Sequence, residues 1–196
     1  LRMKIFKFGG ASVKDANGVK NVASVLEKTG HENTLIIISA MGKTTNALEE
    51  VIKNYIEKSN ELDSTVQDVR KYHNQILVDL FEEEDHEVFF EVNAHFDDLE
   101  YFLRSNKSAN YNFVYDQIVS YGEIVSTTIV SHYFNYRGLK NTWLDVRNFI
   151  KTDITYRDAN VHWDQTELLI SKKIEKNTLY ITQGFLGADP NNFTTT

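Results

Sequence analysis

A chain of 196 residues with 41% apolar and 25% charged residues can fill one hydrophobic core and has the balance of a soluble globular domain. A net charge of −7 argues against a nucleic-acid partner, because phosphate backbones are held by basic faces, and the absence of cysteine excludes disulfides and thiolate metal sites. No apolar run approaches a membrane span and no signal-peptide pattern opens the chain, so a cytoplasmic protein without a membrane partner is expected.

Leu1 and Arg2 ahead of Met3 read as added residues or a misassigned start. Lys4 to Phe8 is an apolar run that carries Lys7 and opens into Gly9-Gly10-Ala11-Ser12-Val13 before a helical pattern from about Asp15. A strand, a tight turn and a helix start in that order suit phosphate: glycines let backbone N–H groups approach a ligand, and a helix N-terminus adds partial positive charge. Lys7 beside the turn would supply a mobile cation for a transferring phosphoryl group. A plain strand-turn-helix with an exposed lysine is the competing reading.

Val19, Val22, Val25 and Leu26 recur at helical spacing, with Gly30 as the stop. Thr34 to Ser39 is a continuous apolar run, as in a strand covered on both faces, and the β-α-β order implies a parallel sheet. Ser39 to Asn46 is small and polar, at a strand's carboxyl end where open α/β sheets bind ligands, and it leads into a helix with Leu48, Val51, Ile52, Tyr55 and Ile56 on one stripe. Gly42-Lys43-Thr44 is no Walker loop, since Ile37 stands where the earlier glycine belongs.

Two long helical stripes follow, one through Leu62, Val66, Val69, His73, Ile76, Leu77 and Leu80, the other through Val88, Val92, Phe96, Leu99 and Leu103. They predict a helical hairpin inserted at about 60–105. The Glu82-Glu83-Glu84-Asp85 run between them reads as a solvated turn rather than a metal site, because adjacent carboxylates diverge. No two of the histidines have the i, i+4 spacing of a zinc helix.

Asn112 to Tyr136 reads as a helix with Gly122 in its middle, where glycine costs about 1 kcal/mol against alanine unless something must approach closely. Thr142 to Val146 predicts a short strand, Phe149 to Asp153 a second, and Asp164 to Ile174 a helix with Leu168, Leu169 and Ile174 inward. Leu179 to Phe185 predicts a buried strand breaking at Gly184, followed by a polar run to Thr196 without secondary structure.

Taken in this order, five blocks resemble the aspartate kinases of the amino acid kinase superfamily. They are Lys7-Phe8-Gly9-Gly10-Ala11-Ser12-Val13, Ser39 to Asn46, Tyr121-Gly122-Glu123, Trp143 to Arg147, and Ile181 to Gly187 with Thr194 to Thr196. Ala11 stands where the family more often has threonine, a small departure where backbone N–H groups do the work. The fold implied is α/β, a mostly parallel sheet sandwiched between helices with the hairpin inserted.

The resemblance implies transfer of the γ-phosphoryl group of ATP, with Mg²⁺, to the side-chain carboxylate of L-aspartate. That carboxylate is already ionised at neutral pH, so positioning and charge neutralisation are the enzyme's tasks. It further implies that Lys7 is catalytic, and that Lys7, Gly9, Gly10 and Ser12 hold the ATP phosphates through the lysine and backbone N–H groups. Ser39, Thr45, Glu123, Gly184 and Phe185 would form the aspartate side, with Glu123 meeting the ammonium group. Thr45 as a helix N-cap, Glu123 as an exposed helix residue and Phe185 as a strand end are the competing roles. On this resemblance residues 1–196 are the N-terminal portion of a catalytic domain, expected to be inactive alone and homo-oligomeric at full length. The nucleotide-base site, a carboxylate-clamping arginine and the regulatory ACT domains would lie beyond Thr196. Another superfamily kinase, acting on acetylglutamate or a nucleoside monophosphate, and a non-catalytic binding or regulatory module are the other classes open to the chain.

Overall fold

The computed structural model describes residues 3–83 and 85–196; Leu1, Arg2 and Glu84 lie outside the described residues, and with them the reading of the two residues ahead of Met3 and one member of the acidic run. Four parallel strands form the central sheet: β1 (Lys4–Phe8), β2 (Thr34–Ile38), β3 (Thr142–Leu144) and β4 (Leu179–Gln183), in the order β1-β2-β4-β3. The helices are α1 (Ala16–Thr29), α2 (Thr44–Glu57), α3 (Leu62–Leu80), α4 (Glu87–Ser105), α5 (Tyr111–Tyr136) and α6 (Trp163–Lys173). Among the described residues no helix is long and apolar enough to cross a membrane.

Local chemistry sets most boundaries. Asp15 caps α1 by accepting from the Gly18 N–H at 2.8 Å, and Gly30, at φ 77°, ends it. Asn110 caps α5 by accepting from Asn112 and Phe113. The 26 residues of α5 are buried on nearly every side, which marks it as a core helix rather than a surface one. It lies between the α3–α4 hairpin and the sheet, and the hairpin occupies the expected segment with the expected stripes inward.

Strand β2 shows how the two faces differ. Ile36 and Ile38 are fully buried in the helical core, whereas Leu35 and Ile37 are half-buried and line a groove on the opposite face. The sheet steps forward from β1 to β2 and back from β3 to β4, so right-handed crossovers place α6 on the face opposite the other helices. One helix leaves that face thinly covered. An apolar groove of about 850 Å³ remains, lined by Ile5, Leu35, Ile37, Phe149, Ile174 and Phe185 among others.

Four local expectations are corrected. Phe149 to Asp153 is not a strand: Asp145 accepts from the Arg147 N–H and curls Val146–Asn148 into a 3₁₀ turn, leaving Lys151 and Thr152 with isolated bridges. In α6 the buried anchor is Thr166, whose hydroxyl accepts from the Lys151 N–H at 3.0 Å, while Leu168 is 52% exposed. In α2, Ile56 faces solvent and Asn54 is buried, donating to Thr65 at 2.8 Å. The polar run to Thr196 is ordered: β5 (Gly187–Ala188) pairs antiparallel with β6 (Thr194–Thr195). Its polarity is satisfied inside, because Asp116 accepts from the backbone and hydroxyl of Thr196, and Gln117 exchanges bonds with the backbone of Thr194.

Candidate active site

Phe8, Ile38 and Gln183 are register partners, so β1, β2 and β4 end level with one another. Each strand is followed at once by a predicted site segment: Gly9-Gly10, Ser39-Ala40 and Gly184-Phe185. The carboxyl edge of a parallel sheet is where such folds bind ligands.

The first two loops touch through backbone. The Gly42 N–H donates to the Gly10 carbonyl at 3.0 Å, and a β-carbon at residue 10 would fall 2.5 Å from the Ala40 carbonyl oxygen. Only glycine permits that crossing. Gly10–Val13 forms a 3₁₀ turn, whose leading N–H groups lack intrahelical partners. Ser12 departs from expectation: its N–H donates to the Gly9 carbonyl at 2.9 Å, so its exposed hydroxyl is what it can offer a ligand. Lys7 is exposed and, by register, shares the open face with Ile37 and Thr182.

The second loop is held from behind by α5. Ser126 donates to the Ser39 carbonyl at 2.8 Å, and the Ala40 N–H donates to Glu123 Oε1 at 3.3 Å. Gly122 explains how the helix comes so near: a β-carbon there would lie 2.9 Å from Cβ of Ala40. Thr45 is not the N-cap of α2. The helix begins at Thr44, whose hydroxyl bonds the Met41 carbonyl at 2.6 Å, and Thr45 sits half-buried one residue further on.

Glu123 is not an exposed helix residue. It is 5% exposed, and its Oε2 is buried with no hydrogen-bond partner among the described residues. Burial pushes its carboxyl up to about 7, against the smaller opposing effect of the Ala40 N–H. A carboxylate placed there lacks one cationic or donor partner.

Phe185 is 63% exposed and sits at φ 70°, with the Leu186 N–H donating back to the Gly184 carbonyl at 2.9 Å. That is a γ-turn of the rare positive-φ kind, and an aromatic residue held in it marks a strained backbone at the edge of the site.

Sequence reasoning missed the residues that fix these parts. Thr127, one turn beyond Glu123, donates to the Glu123 carbonyl and accepts from Trp143 at 2.9 Å and from Gln183 at 2.7 Å, tying α5 to β3 and β4. Gln183 also accepts from the Val146 N–H at 2.8 Å. Such residues carry no periodic or motif signal, since their value is set by partners far away in the chain.

The sequence model of the amino acid kinase family matches residues 2–195. Among curated proteins the chain is similar to bifunctional aspartokinase/homoserine dehydrogenase 1 of Arabidopsis thaliana, at 26% identity over 98% of this chain and 22% of that protein. It is also similar to the aspartokinase of Chlamydia trachomatis, at 26% identity over 97% of this chain and 42% of that protein. Its fold resembles that of Escherichia coli aspartokinase III solved with aspartate and ADP, with a TM-score of 0.87 and 24% identity over 100% of this chain and 43% of that one. The chain thus spans less than half the length of these relatives. With glycine turns level at the sheet edge and a family match over nearly every residue, the chain belongs to the amino acid kinase family.

Proposed function

We propose that this chain carries the phosphoryl-transfer and amino-acid side of an aspartate kinase. The γ-phosphorus to bridging-oxygen bond of ATP breaks, a bond from that phosphorus to a side-chain carboxylate oxygen of L-aspartate forms, and the electron pair leaves on ADP. No proton needs moving, because the attacking carboxylate is ionised. The leading N–H groups of the Gly9-Gly10 turn and the ammonium of Lys7 take the phosphate charge, and the Ser12 hydroxyl adds a donor. Ser39, Thr45, Gly184 and Phe185 border the amino acid. Magnesium would enter as the companion of ATP and would offset the charge of its phosphates.

The observation that carries the reading is the orphaned Oε2 of Glu123. A free α-amino acid brings the ammonium that this oxygen lacks, and its positive charge restores the ionised carboxylate. An N-acetylated amino acid or a nucleoside monophosphate brings no such group, which argues against those acceptors. The apolar groove behind β1 and β2 supports the domain reading. Its lining is that of a core, and the matched part is 43% of aspartokinase III, so further chain bearing the nucleotide-base site is the natural cover.

The test is trapping of the product by hydroxylamine in a polypeptide of the relatives' length carrying this chain. Aspartyl hydroxamate should form only with both ATP and L-aspartate, and N-acetylaspartate should not substitute. Equal turnover with the acetylated compound, or none with aspartate, refutes the assignment.

A further inference from the structure

The two loops that meet at Gly10 and Gly42 share a support that belongs to neither. It comes from consecutive residues of α3, on the inserted hairpin. The Tyr72 hydroxyl donates to the Lys14 carbonyl, just past the 3₁₀ turn of the first loop. The same hydroxyl packs against the second loop, since a β-carbon at Gly42 would lie 2.6 Å from it. His73 is fully buried, with Nδ1 2.8 Å from the Val69 carbonyl and Nε2 3.3 Å from the Thr44 hydroxyl at the start of α2.

The hydrogen positions follow from the partners. A carbonyl only accepts, so Nδ1 carries the proton and Nε2 is the acceptor. The Thr44 hydroxyl has one hydrogen, which the Met41 carbonyl takes at 2.6 Å, so His73 Nε2 at 3.3 Å braces the hydroxyl as a close polar contact. Burial pushes His73 down to about 4, so the ring is neutral at working pH and the contact does not titrate there. The ring is further wedged by Tyr72 at 5.0 Å and Phe96 at 5.6 Å between centroids.

We propose that Tyr72 and His73 are positioning residues that lock the phosphate-side loop and the amino-acid-side loop of the site in one register. Tyr72 holds the first loop through Lys14 and His73 the second through Thr44, and both ride on one rigid turn of helix. The hairpin is thereby part of the catalytic apparatus rather than an appendage. In-line transfer needs donor and acceptor aligned to within an ångström, and a misplacement of that size costs up to about 10²-fold in rate. The proposal rests on the kinase reading for its rate consequence and on the structure alone for the loop register.

Tyr72→Phe removes one hydroxyl and leaves the ring. The control is Tyr101→Phe, an exposed tyrosine on α4. In the polypeptide of full relatives' length, Tyr72→Phe should lower kcat about tenfold, leave both KM values within about twofold and keep the thermal midpoint of the control. Exchange of the Gly42 amide hydrogen, bonded to the Gly10 carbonyl, should quicken by about tenfold or more. His73→Gln, whose amide can still reach Thr44, should retain more activity than His73→Leu. Unchanged exchange at Gly42 overturns the register, and an unchanged kcat, or one that falls only with stability, overturns the positioning role. Should the unaltered enzyme fail to phosphorylate aspartate, the fault is in the function assignment, and Gly42 exchange alone decides the strut.

Discussion

Glu123→Gln isolates the electrostatic load that the site carries when empty. In the folded chain burial raises this carboxyl from 4.5 to about 7, so between those pH values the folded state holds a proton that the unfolded state has lost. The sign follows: the native state binds more protons there, so stability falls as pH rises through the window and levels off above it. At about 1.4 kcal/mol per pH unit of gap, the full loss is about 3 kcal/mol. Glutamine cannot ionise, so the variant escapes that loss. It also leaves an amide where Oε2 has no partner, a fixed penalty of about 1–3 kcal/mol that does not vary with pH. The informative quantity is therefore the change with pH of the stability difference between variant and parent. Urea unfolding at pH 5 and pH 8 should show it moving in the variant's favour by about 2–3 kcal/mol, most of the window. L-Aspartate should bind the parent more tightly at pH 8 than at pH 5, because its ammonium selects the ionised carboxylate, and the variant should lose that dependence. A stability difference constant across pH would refute the account of Glu123 as an uncompensated buried acid.

The remaining predictions concern the loops and their supports. Lys7→Ala should lower kcat of the complete enzyme by about 10²–10³-fold with circular dichroism unchanged, as expected for a donor to the transferring group; near-normal turnover would remove Lys7 from the chemistry. Gly122→Ala should destabilise by about 1–3 kcal/mol in urea despite its gain in helix propensity, because the new methyl meets Ala40 Cβ at 2.9 Å. Phe185→Gly should leave stability equal or raised by up to about 1 kcal/mol, since it relieves positive φ at a largely exposed side chain, while weakening aspartate binding in calorimetry. A clear loss of stability there would show that the aromatic ring packs rather than borders the ligand.

The parts that could be read from residues alone are those governed by neighbours in the chain. Val19, Val22 and Leu26 face the core because their spacing leaves one face apolar, and Asp15 and Gly30 bound α1 because caps act over three or four residues. Gly9-Gly10 opens as a turn for the same local reason, and the hairpin stripes were complete down to His73. Local reading failed where a distant partner outweighed it. Thr44 rather than Thr45 starts α2, because Met41 and His73 engage its hydroxyl. Leu168 is exposed because α6 lies on the thinly covered face, and Thr194–Thr195 became a buried strand because Asp116 and Gln117 of α5 satisfy the segment's polar groups.

By itself the sequence determined the four strands of the central sheet, the helices, the glycine turns and the family of the chain, since short-range sterics, capping and hydrophobic period are written in consecutive residues. Only the tertiary structure decided that Glu123 is a buried acid without a partner, that Gly122 exists to let α5 reach Ala40, and that Tyr72 and His73 of the hairpin brace both loops. Burial and the want of a partner are properties of the space around a group, and that space is filled by residues 29 to 83 positions away.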